Sequence, residues 1–280
     1  MNEAYEFLFR KRWPDGFECP GCGCKRHTVV TSRKLPLYQC GQCRRQTSLP
    51  SDTAMAGSRP PLEKWHAAIR LLSETEGVNT EQLADGIGVT YKTAWSMMQS
   101  IRISISSEEA ERPLNGSVFA GVAYADRWHY QPFILYPGER VVIVAASVDP
   151  SSGKQTAVKL HVVPRRHLTD YKEIMPQGIA DFEARCVHRS ADYTFHPWKE
   201  MHNANPLVER FKEARRWLNA RARGLTENTL QSYFDEYCFR HRVAAEGGSL
   251  AEELYRICLR KGRPPTPAGH GNTLDSAKTT

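Results

Sequence analysis

Two cysteine pairs, Cys19-Pro20-Gly21-Cys22 and Cys40-Gly41-Gln42-Cys43, flank residues 23–39, a gap of 17 residues. No other feature restricts the early chain so tightly. Two thiolates two residues apart on a tight turn can take adjacent corners of a tetrahedron about 2.3 Å from a zinc ion, and this gap suits a four-cysteine site. Gly21, Gly23 and Gly41 supply backbone freedom for those turns. Residues 28–32 and 35–39 read as two short strands, so the pattern predicts a zinc ribbon held by Cys19, Cys22, Cys40 and Cys43. Cys24, just past the first pair, reads as a bystander that could compete for metal. Zinc here can serve the fold alone, because a ribbon has little core of its own.

Metal is favoured over disulfides by where the eight cysteines fall: five lie before residue 44, and Cys186, Cys238 and Cys258 are scattered. The N-terminal sequence lacks the order of a signal peptide, so the expected location is the cytosol, where thiols stay reduced. No apolar run approaches the roughly 18 residues that span a bilayer, and no membrane partner is expected. The net charge of +7 suits a polyanion. Residues 1–50 hold nine Lys or Arg against four Asp or Glu, an excess of five. Lys25, Arg26, Arg33, Lys34, Arg44 and Arg45 are the phosphate candidates there, although a basic surface also simply aids solubility.

After a linker at residues 49–61, Leu62, Trp65, Ala68, Ile69 and Leu72 follow helical spacing. Asn79 then caps a predicted short helix at 80–85, Gly86-Ile87-Gly88-Val89 forms a turn, and Thr90 opens a helix to about residue 103. Two helices joined by a glycine-containing turn make a helix-turn-helix, whose second helix enters the major groove N-terminus first. Thr90, Tyr91, Lys92 and Thr93 are the candidates for base edges. Ala84, Ile87, Val89, Ala94, Trp95 and Met98 are assigned to the small core. Helix-turn-helix units also serve protein contacts, and that alternative stays open.

The order CPGCG, LYQCGQCRRQTSLPSDTAM, PLEKWHAAIRLLS and LADGIGVTYKTAWSMMQSIR, covering residues 15–103, resembles insertion-sequence transposases that begin with a zinc ribbon. The resemblance implies an RNase H-like core of the retroviral-integrase type at 113–245, with an Asp-Asp-Glu site for Mg²⁺ or Mn²⁺. It also implies DNA at insertion-sequence ends as the partner, self-association into a homo-oligomer, and residence in the cytoplasm on the nucleoid. The downstream pattern agrees: strands at 118–124, 140–148 and 156–163, a turn at 149–153, a helix at 168–182, a strand at 184–189, and a long helix begun by Asn205-Pro206. A further helix at 229–242, LQSYFDEYCFRHR, is similar to the end of the family's core.

Two-metal cleavage needs carboxylates that converge on ions about 3.5–4 Å apart. Aligned to the family, Gly121 stands where the first aspartate is expected and Arg189 where the second is, and a cation there repels a metal ion. Glu209 takes the glutamate position. Asp126 and Asp192 are the substitutes within reach, but each is displaced by an odd number of residues and so faces the other side of an ideal strand. The plainer roles are solvated strand ends for those two and an ion pair with Lys212 for Glu209. Arg210, Arg215 and Arg216 still offer a basic surface to a phosphate backbone.

The expected architecture is therefore a multidomain α+β chain: zinc ribbon at 1–50, helix-turn-helix at 60–105, RNase H-like α/β core with a mixed sheet at 113–245, C-terminal helix at 246–262 and disordered tail at 263–280. Two functions follow. One is a transposase-derived DNA-binding protein without working chemistry, and the other an active transposase that cuts and joins strands with Mg²⁺ or Mn²⁺.

Overall fold

In the computed structural model, residues 3–32, 35–74, 77–125, 140–171, 173–196, 206–222 and 225–260 are described. Arg33, Lys34, Asp126, Asn205 and the tail expected at 263–280 lie outside them.

The chain opens with a helix the sequence reading lacked, α1 (Glu3–Arg12), with acidic residues in its first turn and basic ones in its last, each favoured by the helix dipole. Three antiparallel strands follow, β1 (His27–Val30), β2 (Leu37–Cys40) and β3 (Gln46–Ser48), in spatial order β1-β2-β3. Tyr38 of β2 is the hub of an aromatic cluster with Phe9, Trp13, Phe17 and His27, and its hydroxyl meets that of Tyr5 at 2.8 Å. The ribbon's apolar core thus comes largely from α1 and the residues just after it.

Residues 49–61, expected as a linker, are tied in instead. Leu49, Thr53 and Met55 are buried, and the amide of Ala54 donates to the carbonyl of Cys258. Three helices follow: α2 (Leu62–Leu72), α3 (Thr80–Ile87) and α4 (Tyr91–Ala110). Asn79 caps α3 in a reciprocal box with Gln82 at 2.8 and 2.9 Å. Gly88 ends α3 in the left-handed region at φ +61°, which a side chain would resist. Thr90 caps α4, which runs to Ala110, well past the predicted end near 103. The last described helix, α8 (Leu250–Leu259), is capped by Ser249. It shares one apolar core with α1, the ribbon and α2–α4, through Leu8, Trp65, Ile69, Met98 and Cys258.

The second sheet comprises β4 (Ser117–Ala125), β5 (Arg140–Val148), β6 (Gln155–Val162) and β7 (Asp192–His196), in the order β6-β5-β4-β7. The first three form an antiparallel meander and β7 runs parallel to β4. The helix α5 (Pro176–Cys186) lies between β6 and β7 in sequence; α6 (Pro206–Asn219) and α7 (Glu227–Ala245) follow. Phe182 of α5 packs on one face of the sheet, while Leu207, Phe211, Leu230 and Phe234 of α6 and α7 pack on the other. Gln231 of α7 takes a hydrogen bond from the amide of Val162 and gives one to the carbonyl of Leu160, occupying the exposed edge of β6 as a strand would.

The helix predicted at 168–182 begins at Pro176, where proline fits the first turn, and continues to Cys186. The strand predicted at 184–189 is therefore absent: Val187 makes a single parallel bridge with Leu114, and the strand itself is β7. The pair Cys186-Val187 looks strand-like alone, but Phe182 and Cys186, one turn apart, keep the helix intact.

Candidate metal centre and nucleic-acid interface

The four ribbon cysteines come together with all sulfurs within 4.8 Å of one another, and among the described residues they are the one group of three or more His, Cys, Asp or Glu placed to share a metal ion. The sulfurs of Cys19 and Cys43 lie 3.5 Å apart and those of Cys22 and Cys40 3.6 Å apart. A tetrahedron with metal–sulfur bonds of about 2.3 Å has edges of about 3.8 Å, so the donor set fits zinc. The Cys24 sulfur lies outside the group, against the carbonyl of Arg26.

The two cysteine turns are built alike. In each, the first cysteine's amide donates to the carbonyl five residues on, Cys19 to Cys24 and Cys40 to Arg45, while its carbonyl accepts from the residue four on, Gly23 or Arg44. That fourth position is left-handed in both turns, with φ +72° at Gly23 and +60° at Arg44. Glycine takes this conformation freely; arginine does so at a cost of about 1–2 kcal/mol. Gly41 answers a different constraint, since a Cβ there would press on the carbonyl of Arg26 at 3.3 Å.

Backbone amides of Cys43 and Gln42 aim at the Cys40 sulfur and draw its thiol down to about 6. Cys22 accepts from the amide of Cys24, yet burial and the three neighbouring sulfurs push its thiol up to about 12. A divalent metal removes that conflict by holding all four as thiolates.

Lys25, Arg26 and Arg44 are exposed and make no ion pair among the described residues. Arg45 pairs with Asp52 at 2.6 Å. Thr90, Tyr91 and Lys92 are exposed at the start of α4 and Thr93 is half-buried, its hydroxyl 2.9 Å from that of Thr90. Ala84, Ile87, Ala94 and Met98 are buried as expected, and Val89 packs against them. Trp95 is not: it is 40% exposed. The buried apolar positions of α4 are 94, 97, 98, 101 and 105, a stripe that leaves 95 on its flank, so Met97 takes the core place expected of the tryptophan.

Among the described residues, the candidate carboxylates of the second sheet and its helices are dispersed. Asp192 opens β7 opposite Ser117, and Gly121 of β4 lies beside His196, not Arg189, which falls in the turn before β7. Glu209 is 55% exposed at the side chain and pairs with Lys212 at 2.7 Å. On the same helix Arg210 is engaged with Gln155 and Glu213, while Arg215 and Arg216 are exposed.

The rear half of α4 is bound to α7 and β6 by buried charges that no sequence pattern announced. Arg102 meets Glu236 at 2.8 Å and Glu236 meets Arg240 at 3.0 Å; Glu109 meets Lys159 at 2.6 Å and Arg242 at 3.0 Å. One continuous helix of 20 residues, about 30 Å long, therefore carries its exposed N-terminal turn at a fixed distance from the second sheet.

Residues 2–46 match the transposase zinc-ribbon domain family. No curated protein and no solved structure matches the chain. The matched segment includes α1 and all four cysteines, and it suggests a DNA-binding protein of the transposase type. Among the described residues, no helix is long and apolar enough to cross a membrane.

Proposed function

We propose that this chain is a transposase-type DNA-binding protein that grips duplex DNA through a zinc ribbon and a helix-turn-helix made by α3 and α4, and whose RNase H-like core has lost its chemistry. The observation that carries the DNA reading is the match of residues 2–46 together with Arg44, an exposed cation kept in a left-handed conformation where the equivalent turn has glycine. Backbone strain of this kind persists where the surrounding structure fixes it, and it clusters at functional sites. The strand order β6-β5-β4-β7, with an antiparallel meander and a parallel fourth strand, supports the RNase H-like reading of residues 113–245. Loss of chemistry is supported by β4, SVFAGVAYA, which has no carboxylate, and by the pairing of Gly121 with His196.

Arg44→Gly separates stability from binding. The zinc-loaded variant is expected to melt at the same temperature as the parent or above it, because the turn is relieved. Its DNA affinity is expected to fall, with the slope of log K against log salt shallower by about 0.9 if one phosphate contact is lost. Titrations on duplex DNA at several salt concentrations measure this, and an unchanged slope and affinity would remove Arg44 from the interface.

A further inference from the structure

A cleft of about 640 Å³ opens between the first turns of α4 and the segment that joins α6 to α7. Its lining includes Tyr91 and Trp95, one helical turn apart, Tyr233 of α7, and Asn219, Arg221 and Thr229 from across the gap. Tyr91 is 60% exposed and Trp95 40%, which places both among the few large apolar side chains open to water among the described residues. Two aromatic rings on adjacent turns facing one cleft form a stacking platform, a feature that proteins use for unpaired bases because every base has a π-face.

The size and charge of the cleft narrow the occupant further. Its volume lies within the range of about 300–1,000 Å³ typical of small-molecule sites, which suits a nucleotide and is far too small for a duplex. Among the described residues, Arg221 is the lining cation and Glu81 the lining carboxylate, a balance that suits a neutral base better than a bare phosphate. Asn219 and Thr229 bring hydrogen-bonding groups to its wall. Lys92 and Ser96, both exposed, occupy the adjoining strip of α4, so one helix presents a polar strip to the duplex and an aromatic one to the cleft.

We propose that this cleft receives a single unpaired base of the DNA held by α4, stacked on Trp95 and Tyr91. The proposal rests on the DNA-binding reading above and adds to it a preference for DNA with an unpaired or extruded nucleotide.

The test uses the full zinc-loaded chain, a fully paired duplex, and the same duplex carrying one unpaired 2-aminopurine. The bulged DNA is expected to bind about fivefold to a hundredfold tighter, the range that stacking a base on an aromatic ring supplies, with quenched 2-aminopurine fluorescence. Trp95→Ala should abolish the preference and the quenching while paired-duplex affinity holds, Trp95→Phe should retain part of both, and Lys92→Ala should weaken the two DNAs equally. Equal affinity of the parent for both DNAs, or quenching that survives Trp95→Ala, overturns the cleft proposal and leaves duplex binding standing. Failure to bind either DNA removes the DNA-binding reading, and the cleft proposal with it.

Discussion

Cys40→Ser is expected to abolish stoichiometric zinc binding and to unfold the ribbon. Cys40 is fully buried and its sulfur is the one most strongly prepared as a thiolate by backbone amides. Structural zinc in small domains contributes about 10–16 kcal/mol of apparent binding energy near pH 7, and that energy is folding energy. The damage should spread beyond the ribbon, because Tyr38 and Cys40 belong to the same apolar core as α2, α4 and α8. Zinc content and thermal melting measure the effect. Cys24→Ser, made in parallel, should leave both unchanged. A Cys40→Ser protein that retains one zinc and melts like the parent would mean that another ligand set, with Cys24 the nearest thiol, serves the site.

Arg102→Ala should destabilise the chain by about 3–5 kcal/mol, the usual result of removing one partner of a buried ion pair. Arg102 and Glu236 expose 2% and 5% of their side chains. The Arg102 guanidinium also lies 3.6 Å from the centre of the Tyr233 ring, and its buried Nη1 has no hydrogen-bond acceptor. The attraction comes at the cost of desolvating both charges, so the pair Arg102→Met with Glu236→Gln should lose much less than the sum of the two single changes. Denaturant melts of the four proteins form the cycle. Strict additivity would show that the two residues are not coupled and that α4 is fixed to α7 by apolar packing alone.

Much of the chain was legible because its local signals agree with its tertiary structure. The cysteine spacing brought the four sulfurs together, Asn79 and Thr90 capped the helices assigned to them, and the strand assigned to residues 140–148 coincides with β5, which is buried along nearly its whole length. What escaped was set by long-range partners. The signature of α1 was present, with acids leading and bases trailing, but its role became visible only through Tyr38. The position of β7 depended on where α5 ends, and moving that strand replaced Arg189 by His196 beside Gly121. Trp95 looks like a core residue because its neighbours Ala94 and Met98 are buried, but it lies on the flank of the stripe formed by 94, 97, 98, 101 and 105. Arg102, Glu109, Lys159 and Glu236 gave no signal at all, since a charged residue in a sequence carries no mark of a partner up to 134 positions away.

Binding without cleavage is tested by incubating zinc-loaded protein with supercoiled plasmid in Mg²⁺ and in Mn²⁺, beside Glu209→Gln, while gel shifts record binding. The expected result is a shifted plasmid that stays supercoiled with both proteins and both metals. Nicking by the parent that disappears in Glu209→Gln would contradict the claim and identify Glu209 as part of a working site completed by carboxylates other than those expected at positions 121 and 189.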